Sequence, residues 1–176
     1  MRERTLGSRV VHEGHTIRVR VDDVERPDGR RTTRDVVEHP GAVAILAWDG
    51  ERIAMVRQWR HATGQMLLEV PAGTLEPDEP PEETARRELA EESGLSAGTW
   101  VAGPRFYTAP GFCDELMHLF LATDLGTASA DGDEDEDIEE VWMTFAEAQE
   151  AIDDGRIADA KTIAALGWLA RKLGAS

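Results

Sequence analysis

The sequence predicts an α+β or mixed α/β fold: strands, one central helix, further strands, then two helices. Three observations predict it. Before residue 70 the apolar residues recur mostly in short alternating or continuous runs bounded by turn signals, as strands do. A Glu-rich segment between Gly73 and Gly94 carries helical spacing instead. From Phe145 onward the spacing is again helical, interrupted at Gly155. Strands and helices in that order do not form a βαβ repeat.

Taken in order, residues 16–26 alternate apolar and polar, Pro27-Asp28-Gly29 marks a turn, and 32–38 resumes an extended pattern, so the three predict a hairpin. Ala42–Trp48 and Ile53–Arg60 flank Asp49-Gly50, a strong hairpin signal. Met66–Val70 predicts a short strand, stopped by Pro71-Ala72-Gly73. Pro80 and Pro81 suit the first turn of a helix, where a missing N–H costs nothing, and Gly94 suits its C-terminal cap. Trp100–Tyr107 and Leu116–Ala122 predict strands around the loop 108–115. Residues 124–137 read as an acidic loop, Glu140–Thr144 as a last strand, and Phe145–Asp153 and Ala158–Leu173 as helices. Trp59 reads as core in preference to a surface for base stacking.

The chain has 176 residues, enough to bury a sizeable core as one domain with a small appendage. The expected division is an N-terminal antiparallel β extension over 1–40 and a main domain over 41–176. Net charge is −16, lysine occurs only at 161 and 172, and no basic stripe offsets the acidity. A nucleic-acid backbone would be repelled, so no nucleic-acid partner is expected. An acidic protein that handles an anionic substrate needs a few local arginines or bound cations. The longest apolar run, Ala42–Trp48, is too short for a bilayer, and Met-Arg-Glu-Arg-Thr opens no signal peptide, so no membrane role and a cytoplasmic location are expected. The lone Cys113 gives neither an intrachain disulfide nor a metal-cysteine site. The five histidines show no zinc spacing, and no Gly-x-Ser-x-Gly elbow is present.

The chemistry concentrates on the central helix. At roughly 100° per residue, Glu88, Glu91 and Glu92 fall within an arc of about 100°. As i, i+3 and i+4 neighbours they repel one another. A solvated acidic helix face would account for that cluster taken alone. A hard cation such as Mg²⁺ or Mn²⁺ would also relieve the repulsion, and could bridge phosphate oxygens. Arg87 beside the carboxylates, Gly73 and Gly94 at the ends, and Glu79 upstream favour the metal reading.

These residues resemble the Nudix box: Gly, five residues, Glu, seven residues, then Arg-Glu-apolar-any-Glu-Glu-any-Gly-apolar. Every specified position is met from Gly73 to Leu95. Chance agreement at its seven fixed identities is on the order of one in a hundred million per starting position. The resemblance implies a Nudix-like α/β/α sandwich that hydrolyses a nucleoside diphosphate linked to a group X. It implies Glu88 and Glu92 as principal metal ligands, Glu91 on a further ion or a water, and Arg87 orienting the glutamates. The Ala72 carbonyl would be another ligand, and Glu79 would be structural or assist the metal.

The flanks resemble the ADP-ribose pyrophosphatase branch, which splits ADP-ribose into AMP and ribose 5-phosphate. They are the segment from Arg34 to Ile45, Arg57-Gln-Trp-Arg60, Leu68-Glu69-Val-Pro-Ala-Gly73, Tyr107-Thr-Ala-Pro110-Gly111-Phe112-Cys-Asp-Glu115 and Asp-Gly-Arg-Ile-Ala-Asp-Ala-Lys-Thr near the C-terminus. Arg34, Arg57, Arg60, Glu69, Pro110, Gly111, Phe112 and Glu115 are the implied substrate contacts. In the acidic run around Ile138, Glu134 is the expected catalytic base and Glu136 an auxiliary ligand. The branch further implies a homodimer with exchanged N-terminal strands, in which Arg31 or Arg34 would complete the partner's site. A nucleotide-sugar or dinucleoside polyphosphate pyrophosphatase keeps the chemistry and changes X. A non-catalytic ADP-ribose-binding module of the same fold is the other class of reading.

Overall fold

A computed structural model describes residues 2–129 and 138–174. Its elements run β1 (Arg4–Glu13), β2 (Arg18–Glu25), β3 (Arg31–Glu38), β4 (Ala42–Trp48), β5 (Arg52–Arg60), β6 (Gln65–Glu69), β7 (Ala72–Thr74), α1 (Pro81–Ser93), β8 (Leu95–Tyr107), β9 (Leu116–Thr127), β10 (Ile138–Thr144), α2 (Phe145–Asp153) and α3 (Ala160–Leu173). They fall into two compact units, Met1–Gly41 with Phe106–Leu116, and Ala42–Arg105 with Met117–Ser176. The expected mixed α+β class holds.

The first unit is a three-stranded antiparallel sheet, β1-β2-β3. The predicted hairpin is its β2–β3 half. Strand β1 escaped the sequence pattern because all ten of its residues are exposed, so no alternation marks it. The 106–116 segment joins this sheet through Val37, whose N–H donates to Phe112 O (2.7 Å) and whose carbonyl accepts from Asp114 N–H (3.1 Å).

The second unit is built on a sheet ordered β10-β5-β4-β9-β8, with β6 on β5 and β7 on β4. Strand β4 runs parallel to β9 and antiparallel to β5 and β7, so the sheet is mixed. Buried on both faces, β4 is apolar without alternation, as a central strand should be. Val43, Ile45 and Ala47 share one core with Ala85 and Leu89 of α1 and with Ala54, Phe120 and Ala122. Alternation along the strand turns Ala44 and Leu46 to the other face, and α3 packs on β4 there with Ala165, Leu166 and Leu169 buried. Helices therefore cover both faces of the sheet.

The Asp49-Gly50 turn forms as predicted, with Asp49 Oδ1 accepting from the N–H groups of Glu51 (2.8 Å) and Arg52 (2.6 Å). The hairpin it closes is far shorter than expected. Only Ala47↔Ala54 and Trp48↔Ile53 pair between β4 and β5. Beyond them β5 pairs with β10 and β6, while β4 turns its freed edge to β7, a strand that the sequence reading took for a mere stop. Trp59 is a second correction. It lies 54% exposed near the end of β5, paired across the strands with Met66, and is not core.

Each helix has a sequence-level reason. Pro81 opens α1, and Gly94 closes it in the left-handed conformation (φ 63°) with its N–H on Ala90 O. A capping box between Thr144 and Glu147 starts α2, and Asp159 caps α3. Among the described residues no helix is long and apolar enough to cross a membrane. Leu89 is fully buried between α1 and the sheet, so Leu89→Ala should lower unfolding free energy by about 2–5 kcal/mol in a urea titration.

Candidate functional site

One side of α1 packs into the core through Thr84, Ala85 and Leu89, which leaves Glu88, Glu91 and Glu92 partly exposed on the rest of the helix. Arg87 gathers the acids. Its Nη1 donates to Glu88 Oε1 and to Glu91 Oε2, both at 2.9 Å. Its Nε and Nη2 donate to the two carboxylate oxygens of Glu79, at 3.3 and 3.1 Å. Hydrogen bonding to Glu79, followed by the fields of the neighbouring acids, holds the Arg87 guanidinium above its ordinary pKa. The same contact and the Thr84 hydroxyl (2.8 Å) hold Glu79 below the usual carboxylate range.

The loop before the helix closes on these acids. Pro71 O accepts from Ile45 N–H (2.8 Å), which fastens the loop to the middle of β4. Ala72 N–H donates to Glu92 Oε2 at 2.9 Å. A Cβ placed on Gly73 would lie 1.9 Å from both Cδ and Oε1 of Glu88, so only glycine allows that carboxylate its position. The φ of Gly73 is not the issue; the close approach is.

Further along the sheet, Glu69 is 1% exposed and is held by two cations. Arg60 grips it in a fork at 3.0 and 2.7 Å, and the Lys161 ammonium donates to it as well. Burial pushes the Glu69 carboxyl up, but the two cations outweigh burial and hold it below its ordinary value of 4.5. Arg57 pairs instead with Glu139 at 2.9 Å. It also lines a cavity of about 650 Å³ with Met66, Leu68, Trp142, Glu147 and Arg156.

The first unit holds the remaining expected contacts. Arg34 forks onto Glu3 at 3.1 and 2.6 Å. Pro110, Gly111 and Phe112 form the turn of the 108–115 loop, and Phe112 is 59% exposed. Glu115 accepts from the Thr108 hydroxyl and lies 3.8 Å from His39 Nδ1. Glu134 and Glu136 lie outside the described residues.

A divalent cation fits the donors of α1 by their chemistry. Arg87 alone offers one positive charge to the three carboxylates it binds, and hard oxygen donors suit Mg²⁺ or Mn²⁺. Among the described residues, no group of three or more His, Cys, Asp or Glu is drawn together as a ready ligand cage. Arg87 gathers Glu79, Glu88 and Glu91.

The NUDIX domain family matches residues 38–166, and the nucleoside diphosphate sugar hydrolase N-terminal domain matches residues 3–37. The chain belongs to the NUDIX hydrolase family. It is 41% identical over 175 residues to the ADP-ribose pyrophosphatase of Bacillus subtilis (strain 168), covering 98% of this chain and 95% of that one. It is 44% identical over 165 residues to the ADP-ribose pyrophosphatase of Mycobacterium tuberculosis (strain ATCC 25618 / H37Rv), covering 91% and 79%. In fold it matches the crystal structure of an ADP compounds hydrolase with a TM-score of 0.88 at 24% identity, over 100% of this chain and 98% of that one.

Within this Nudix chain, sequence reasoning missed that Lys161 pairs with Glu69 and Asp159, and that Thr162 holds the loop that precedes the box. A lysine two residues after an N-capping aspartate was the available signal, in a chain that has only two lysines.

Two outcomes are expected. Gly73→Ala should keep its fold by circular dichroism yet lose roughly 100-fold in turnover, because the Glu88 carboxylate must move by an ångström or more. Glu69 has a lowered pKa in the folded protein, so its contribution to stability is present above about pH 4.5 and fades as pH falls through the lowered value. The stability gap between wild type and Glu69→Gln should therefore be constant near neutrality and narrow in acid denaturant titrations.

Proposed function

We propose that this Nudix hydrolase cleaves the pyrophosphate of ADP-ribose, releasing AMP and ribose 5-phosphate, with Mg²⁺ or Mn²⁺ as cofactor. The observation that carries the reading is the joint placement of Glu88 against Gly73, Glu92 on the Ala72 N–H, and Glu91 on Arg87. Glu88, Glu91, Glu92 and the Ala72 carbonyl would hold the metal, which supplies Lewis-acid neutralisation of phosphate charge. The similarity to two ADP-ribose pyrophosphatases over nearly the whole chain supports ADP-ribose as X.

The chain's own groups supply the remaining steps. Arg87 holds the carboxylates of Glu79, Glu88 and Glu91 around one guanidinium. Arg60, already forked by Glu69, offers a cation whose orientation costs little further entropy to fix. Arg57 on its cavity wall and Glu115 in the 108–115 loop are the proposed contacts to the rest of the nucleotide, with Pro110, Gly111 and Phe112 shaping that loop. Glu134 is the proposed base, taking a proton from the attacking water, and Glu136 the proposed auxiliary ligand.

A homodimer with exchanged N-terminal strands belongs to the same proposal. Strand β1 is an edge strand that exposes Leu6, Val10 and Val11, a surface that monomeric proteins avoid. Residues 1–40 are the proposed dimer-forming extension, carrying Arg31 and Arg34 to the partner, and 41–176 the proposed catalytic domain.

The match of residues 3–37 to a nucleoside diphosphate sugar hydrolase domain favours one second reading, in which X is a nucleotide-linked sugar more broadly. Assays of ADP-ribose, GDP-mannose, ADP-glucose and NADH under one condition separate the two. ADP-ribose should give the highest kcat/KM, Glu92→Gln should abolish turnover, and excess chelator should do the same. Full activity in that variant or in chelator would remove the metal assignment.

A further inference from the structure

We infer that Lys161 is a positioning residue, setting through its polar contacts both the Arg60 cation and the loop whose Ala72 N–H donates to Glu92. The inference rests on the reading of the α1 carboxylates as a metal site. Lys161 is the second residue of α3, where only 8% of it remains exposed. A buried ammonium is costly unless it is paired, so its position is set by its partners. Those partners are the Glu69 carboxylate and Asp159 Oδ2 at 3.1 Å.

From Glu69 the path runs to Arg60, held in its fork, and the Arg60 guanidinium feels the field of Glu92. From Asp159 it runs to Thr162, whose N–H and hydroxyl both donate to Asp159 Oδ2, at 3.0 and 2.7 Å. The Thr162 hydroxyl oxygen in turn accepts from Val70 N–H at 2.9 Å. Two residues later Ala72 N–H donates to Glu92. Glu69 and Val70 are adjacent, so Lys161 and Thr162 clamp one stretch of chain from the α3 side, and that stretch ends on a proposed metal ligand.

Such supporting partners typically carry about 10–100-fold in metal affinity or activity. Lys161→Met keeps the stem and removes the charge; Lys161→Arg keeps the charge; Thr162→Val removes the hydroxyl that receives Val70. Mn²⁺ binding is read by electron paramagnetic resonance of free Mn²⁺ without substrate, and kcat and KM are read separately for ADP-ribose. The expected result for Lys161→Met is Mn²⁺ binding weakened about tenfold with kcat lowered at least as much, and partial recovery in Lys161→Arg. Thr162→Val should shift Mn²⁺ binding in the same direction by a smaller factor.

If Lys161→Met does not fold, Lys161→Arg and Thr162→Val decide, and wild-type Mn²⁺ affinity in both overturns the inference. A rise in KM alone, with kcat and Mn²⁺ affinity unchanged, also overturns it and makes Lys161 a substrate contact. A wild-type protein that binds Mn²⁺ but cleaves no nucleotide defeats the proposed reaction and leaves the Mn²⁺ arm standing as the test of Lys161.

Discussion

Mutual repulsion among carboxylates on a short helix is the constraint from which the rest of this site follows. Glu88, Glu91 and Glu92 sit on neighbouring turns of α1, and Glu79 is brought back toward them from the preceding loop. Arg87 makes the arrangement tolerable by donating to three of the four at once. The guanidinium is suited to this because its donors lie in a fixed plane; an ammonium at the same place would be a point charge without that geometry. With Arg87 so occupied, Glu88 is pressed against the loop, and the loop must carry glycine there. The glycine, the arginine and the acids are thus one solution to one electrostatic problem.

The same physics recurs at Glu69, with the emphasis reversed. At α1 there are more acids than bases, which leaves a need for a cation. At Glu69 one buried acid meets Arg60 and Lys161, and Asp159 balances the second base. A buried ion pair is weak ground for stability, since desolvation offsets most of the attraction, but removing one partner is costly. Its more credible role is to fix where Arg60 points and where β6 ends. One of the two lysines in a strongly acidic chain is spent on this buried contact.

Much of the fold was legible because its signals are local. The Asp49-Gly50 turn, the Pro81 start and Gly94 stop of α1, and the full extent of α2 each rest on neighbouring residues and appear as expected. Strand pairing is not local. Nothing near residue 45 says that β4 abandons β5 after two pairs, because the cause is β7, nearly thirty positions on. Strand β1 was invisible for a different reason, since a strand exposed on both faces has no pattern to read. At the site, spacing from Gly73 to Leu95 specified the residues on α1, whereas the Lys161–Glu69 pair joins positions 92 apart in the chain and could only be seen in three dimensions.

The departure of β4 from β5 also explains where the chemistry sits. A regular hairpin would have filled the edge of β4 with β5 along its whole length. By splaying after Ala47, β5 leaves room for Pro71, Ala72 and Gly73 to reach the middle of β4, where Ile45 N–H donates to the Pro71 carbonyl. The loop that follows is itself irregular, with Asp78 at φ 64°, a left-handed conformation that aspartate tolerates better than most residues. Strand β7 lies on β4 by one edge, and from that short strand Ala72 N–H serves the Glu92 carboxylate. Had β5 stayed on β4 along its whole length, β7 would have no edge to pair with, so the early parting of β4 and β5 is a condition for the site.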